Sequence, residues 1–67
     1  MALSARNQLR GTVKSVVLGA VMAEVVIEVG ENELVSVVTR HACEALDLKA
    51  GDTVTAVVKA TEVLIAK

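Results

Sequence analysis

Sixty-seven residues set the scale: a single domain spanning 1–67, in which so short a chain buries only about 60% of the surface it exposes when unfolded. The composition is 54% apolar with no aromatic residue and no proline, and the net charge is −1 with both signs interspersed. That balance argues against a nucleic-acid module, which wants a basic face and usually aromatic stacking platforms. So much Val, Ala, Leu and Ile exceeds what a core of this size hides, and large exposed apolar patches mark interfaces. An obligate oligomer is expected.

No apolar run approaches the ~18 residues of a membrane span. The first residues lack a charged stretch followed by a long apolar one, and a single cysteine forms no intrachain disulfide. The expected compartment is the cytoplasm.

Met1 to Leu3 reads as a flexible lead-in or an arm reaching a neighbour. Asn7 to Leu18 is rich in β-branched residues, and Leu9, Gly11, Val13, Ser15 and Val17 share one face of a first strand. Leu18-Gly19-Ala20 is a turn in which Gly19 is free to take positive φ. Ala20 to Val29 alternates most clearly: Val21, Ala23, Val25, Ile27 and Val29 face one way, while Met22, Glu24, Val26 and Glu28 face the other. Gly30-Glu31-Asn32 is a hairpin signal. Glu33 to Thr39 returns as a third strand, with Leu34, Ser36 and Val38 opposite Val35, Val37 and Thr39.

The period then changes. Thr39 can cap a short helix over residues 40–47, whose Ala42, Ala45 and Leu46 fall on one side. Leu48-Lys49-Ala50-Gly51-Asp52 leaves it through a glycine turn. Thr53 to Lys59 is a fourth strand with Val54, Ala56 and Val58 inward, Ala60-Thr61 interrupts, and Glu62 to Ala66 is a short fifth strand. The order β-β-β-α-β-β is that of an all-β, five-stranded OB-type barrel with one helix after strand three. An SH3-like barrel is the alternative.

Chemistry is scarce. The only histidine, His41, lies two residues from the only cysteine, Cys43, and residues two apart on a helix face different ways. Cys43 reads as a small apolar residue packing the helix down, and His41 as a solvated or interface residue. No cluster has the spacing of a zinc or calcium site, and Glu24 and Glu28 read as a solubilising face. An enzyme has no support in these residues, and neither does a bound metal cation.

An oxyanion site has support. Ser4 and Arg6 precede strand one, Thr39 ends strand three where helical N–H groups begin, and Lys59 ends strand four ahead of the break at Ala60. A tetrahedral dianion wants two positive charges and several hydroxyl or amide donors. Arg6 and Lys59 supply the first; Ser4, Thr39 and the backbone at Ala60 or the helix start supply the second. The bland reading makes Arg6, Arg10 and Lys59 solvated charges, and Ser4 and Thr39 caps.

The pieces Ser4-Ala5-Arg6-Asn7-Gln8-Leu9 with Gly11-Thr12-Val13, Ala23-Glu24-Val25-Val26, Val38-Thr39, Leu46-Asp47-Leu48-Lys49-Ala50-Gly51-Asp52 and Ala56-Val57-Val58-Lys59-Ala60-Thr61-Glu62 run collinearly through the chain. Together they resemble the molbindins, Mop-type members of the TOBE/MOP domain family. The resemblance implies an OB-type fold in a homohexamer, a trimer of dimers, that holds molybdate or tungstate between subunits. By motif position it implies Ser4, Arg6, Thr39, Lys59 and the Ala60 backbone as the anion shell, with Asn7 and Thr61 in support; His41 is carried as a third supporting position. Some relatives have a serine at the position of Ala42, so one hydroxyl donor is missing here. The competing expectation is a structural or interaction module that docks a protein on its valine-rich surface without an anion. A donor-rich opening with no paired acids favours the anion.

Overall fold

The computed structural model describes residues 3–67, so the expectation for the lead-in falls largely on Met1 and Ala2, which lie outside the described residues. Strand β1 spans Asn7–Leu18, β2 Met22–Val29 and β3 Asn32–Thr39; helix α1 is Arg40–Ala45 and β4 is Thr53–Val58. A single 3-10 turn, Ala60–Glu62, follows. The strands form one antiparallel sheet in the order β3-β2-β1-β4.

β1 organises the sheet by serving two partners. Its first half, from Asn7↔Val58 to Thr12↔Thr53, pairs with β4; its second half, from Thr12↔Glu28 to Leu18↔Ala23, pairs with β2. The handover falls at Gly11, where a Cβ would meet the Glu28 carbonyl oxygen and lie 2.8 Å from Ile27 Cγ2, so only glycine lets β2 approach. A bulge between Val13 and Ser15 then shifts the register. Beyond it Val16, not Val17, opposes the buried Val25 and packs on the core, while Val17 is 61% exposed. The expected single face from Leu9 to Val17 is thus broken at Lys14, because one extra residue exchanges the two faces of a strand.

The β2–β3 hairpin turns on Gly30 and Glu31 between the paired Val29 and Asn32, with positive φ (+59°) at Gly30 alone. Gly19, in contrast, keeps an ordinary φ. What it supplies at the first turn is room: a Cβ would sit 2.9 Å from the Met22 carbonyl oxygen.

Thr39 caps α1 as expected, its Oγ1 accepting from the Ala42 N–H at 3.1 Å. The helix ends earlier than residue 47. Asp47 takes the left-handed conformation (φ 50°), its N–H donating to the Glu44 carbonyl and the Leu48 N–H to that of Cys43. These are the paired bonds of a Schellman stop, here with an aspartate at the position glycine usually holds. The inward residue is Cys43, 2% exposed, whereas Leu46 stands 70% exposed. Arg40 ties the helix start to the first turn, its N–H donating to the Val21 carbonyl and its guanidinium to that of Gly19.

Val13, Ala23, Val25, Ile27 and Cys43 form the buried core, with Val16, Val29, Leu34, Val38, Leu48, Val54 and Ala56 packed around it. The expected five-stranded closed barrel is corrected in one respect. The sheet has four strands and does not close, because residues 63–67 run on from the 3-10 turn without a ladder partner in this chain. The alternation of Val63 and Ile65 is strand-like, but a strand exists only with a neighbour to bond. Between the free edges of β3 and β4 lies an open groove of about 730 Å3, floored by Leu34, Val38, Leu48, Val54 and Ala56.

Candidate functional site

The donors expected to meet an anion sit at the two ends of β1. At its beginning, the last rung of the β1–β4 ladder is Asn7↔Val58. Arg6 and Lys59 are the residues just beyond that rung on the two strands, so antiparallel pairing brings two cations far apart in sequence to one end of the sheet. Ser4 lies in a bend just upstream and is exposed. Gln8 braces this approach: its Nε2 donates to the Ala5 carbonyl at 2.8 Å and its N–H to that of Arg6 at 3.0 Å. The Gln8 carboxamide is therefore spent on the fold.

On the β4 side, Lys59 is the residue before the 3-10 turn, its carbonyl accepting from the Glu62 N–H at 2.9 Å. Ala60 and Thr61 open that turn, and the first N–H groups of a helical turn have no acceptor within it. Asn7, Lys59, Ala60 and Thr61 are all exposed.

Sorting the seven cations shows which are available. Lys14 is held by Glu33, whose hydrogen bond and charge keep the ammonium above the usual lysine range. Lys49 is held in the same way by Asp47, at 3.0 Å, and Arg40 by Glu44 at 3.5 Å. Among the described residues Arg6, Arg10, Lys59 and Lys67 have no carboxylate within salt-bridge distance. Three of these four, Arg6, Arg10 and Lys59, belong to the start of β1 and the end of β4. Arg10 lies opposite Thr55 on the same ladder, and sequence reading had set it aside as a surface charge.

Thr39 lies at the far end. It pairs with Met22, one step past the Leu18↔Ala23 rung that closes β1. The strand path between the Arg6 end and the Thr39 end is roughly 35 Å at about 3.3 Å per residue. Donors around one small anion each stand about 3 Å from its oxygens. In one copy Arg6 and Lys59 thus flank the same end of the β1–β4 ladder, while Thr39 lies past the other end of β1. His41 is exposed on α1 while Cys43 is buried, so the two do not form a pair. Among the described residues no group of three or more His, Cys, Asp or Glu converges as a metal site.

Among the described residues, then, the candidate site is an exposed cationic end on a small β-sheet domain. The family model "TOBE domain" matches residues 3–65. Molybdenum-pterin-binding protein 2 of Clostridium pasteurianum is 47% identical over 66 residues, covering 97% of each chain. A molybdate-binding protein from Sporomusa ovata is 48% identical with a TM-score of 0.95, covering 100% of both chains. The cytoplasmic molybdate-binding protein ModG, with molybdate bound, is 49% identical with a TM-score of 0.85 over 90% of this chain and 43% of its own. The chain belongs to the TOBE domain family and to its Mop-type branch, the molbindins. It is a family of binding proteins, not enzymes.

Proposed function

We propose that this chain binds molybdate or tungstate in the cytoplasm and serves as a store or buffer for the oxyanion. The sites form between copies of a homo-oligomer, a hexamer built as a trimer of dimers. Arg6 and Lys59 neutralise the dianion. Ser4, the Ala60 backbone and, from a neighbouring copy, Thr39 donate to its oxygens, with Asn7, Thr61 and His41 in the surrounding shell. Binding makes and breaks no covalent bond; it exchanges the ion's water for donors already in place. Discrimination from sulfate, equal in charge and shape, rests on the size of the enclosed cavity.

What supports this reading is that Arg6 and Lys59 flank the same end of the β1–β4 ladder, each next to its last rung and neither with an acid within salt-bridge distance among the described residues. The separation of Thr39 from that end is what supports a site shared by two copies. The relatives named for molybdenum and molybdate support the choice of ion. The test is thermal melting of the purified protein with equimolar molybdate, tungstate or sulfate. Molybdate and tungstate are expected to raise the melting temperature well beyond sulfate. Equal and negligible shifts for all three would overturn the reading and favour a module that docks a protein partner.

A further inference from the structure

The arm over residues 3–6 carries two of the anion donors, Ser4 and Arg6, yet it lies outside the sheet. The β1–β4 ladder begins only at Asn7, and within the arm Leu3, Ser4 and Arg6 are exposed while Ala5 is half-buried. Left to itself, such a segment samples many backbone conformations, and ordering it when an ion binds subtracts from the affinity. The donors are useful only if something holds the arm beforehand.

Gln8 supplies that restraint. Its Nε2 donates to the Ala5 carbonyl at 2.8 Å, and its backbone N–H donates to the Arg6 carbonyl at 3.0 Å, closing a tight turn over Asn7. Among the described residues no other hydrogen bond reaches the backbone of residues 3–6. The two carbonyls belong to the peptide units on either side of the Arg6 Cα. Peptide units are planar, so fixing both of them fixes φ and ψ at Arg6 and with them the direction in which its side chain leaves the backbone. Gln8 is itself anchored, since it stands in the ladder opposite Val57. Lys59 owes nothing to this brace: it follows β4, and its carbonyl is held by the Glu62 N–H at 2.9 Å.

We propose that Gln8 is a positioning residue of the oxyanion site, presetting the arm so that Ser4 and Arg6 are in place before the ion arrives. The proposal rests on the oxyanion reading of the previous subsection. Gln8 touches no ion; it acts through the arm, by completing on folding an ordering step that binding would otherwise have to drive.

The test uses the full chain with molybdate as the probe. Gln8→Met keeps the reach of the side chain and removes its donor. Isothermal titration is expected to show molybdate binding at least about threefold weaker, the net effect of one hydrogen bond. That loss is expected to be largely absent in an Arg6→Ala background and to persist in full in a Lys59→Ala background. A general loosening of the fold would weaken all three alike. In the anion-free protein, backbone relaxation at Ala5 and Arg6 is expected to give order parameters of about 0.85 in the wild type and below about 0.6 in Gln8→Met. Gln8→Lys, which restores a donor of similar reach, is expected to keep the arm rigid. Binding by Gln8→Met within threefold of the wild type would overturn the proposal. So would an equal loss in the two cation backgrounds, or an arm already mobile in the anion-free wild type. A wild type that takes up no molybdate overturns the oxyanion reading first and this proposal with it, so the two failures are told apart. Should Gln8→Met fail to fold, the wild-type relaxation still decides.

Discussion

Replacing Arg6 or Lys59 by alanine separates binding from folding. Neither side chain makes an ion pair or a side-chain hydrogen bond among the described residues, and both are exposed. Their loss should therefore move the stability of the anion-free protein by no more than about 0.5 kcal/mol. A charge-assisted hydrogen bond to the dianion, by contrast, is worth about 1.5–3 kcal/mol. At 1.4 kcal/mol per decade, each substitution should weaken molybdate binding roughly 10- to 150-fold. With free molybdate at about 100 times the wild-type Kd, the ligand stabilises the native state by about 2.7 kcal/mol. The same concentration should stabilise either variant by only about 0.3–1.4 kcal/mol. For a domain of this size 1 kcal/mol is about 4–8 °C, so the loss is easily seen in a melt. Isothermal titration gives the affinities and calorimetry the melts. If both variants bind within threefold of the wild type, the paired cations are solvated charges and the anion site lies elsewhere.

Three further outcomes follow from the packing. Gly11→Ala should cost about 1–3 kcal/mol in urea unfolding, since its Cβ meets the Glu28 backbone in a ladder bonded on both sides of β1. Thr39→Ala should lose about 1 kcal/mol of stability with the α1 cap and also weaken molybdate binding. Thr39→Asp keeps a cap acceptor but sets a carboxylate against the dianion, so it should recover stability and not affinity; recovery of both would remove Thr39 from the site. Cys43, buried under α1, should react with a thiol reagent only when the protein is unfolded, and fast labelling of the native protein would contradict that packing.

What could be read from the residues and what could not divide along a physical line. The alternation of Ala23, Val25 and Ile27 placed them in the core because period 2 is a property of the strand itself. The bulge at Lys14 has no such local signature: Val16 and Val17 are both valines, and only the register with β2 decides which one turns inward. The helix start was legible in the Thr39 hydroxyl. Its stop was not, because Asp47 enters the left-handed region on the strength of bonds to Glu44 and Cys43, which a glycine-based rule passes over. The candidate site followed the same division. The residue types at Arg6, Lys59 and Thr39 were visible as a set of anion donors. That Arg6 and Lys59 flank one end of the β1–β4 ladder while Thr39 stands past the other end of β1 is a consequence of ladder register, which the alternation does not set.

Register also has a consequence for how the ion is held. If Thr39 from one copy completes a shell begun by Arg6 and Lys59 of another, the separated chain carries only part of the site. Binding and assembly are then linked, and each must favour the other by the same factor. Dilution should weaken the apparent affinity for molybdate, and molybdate should delay dissociation on dilution. A site wholly within one copy would show neither effect.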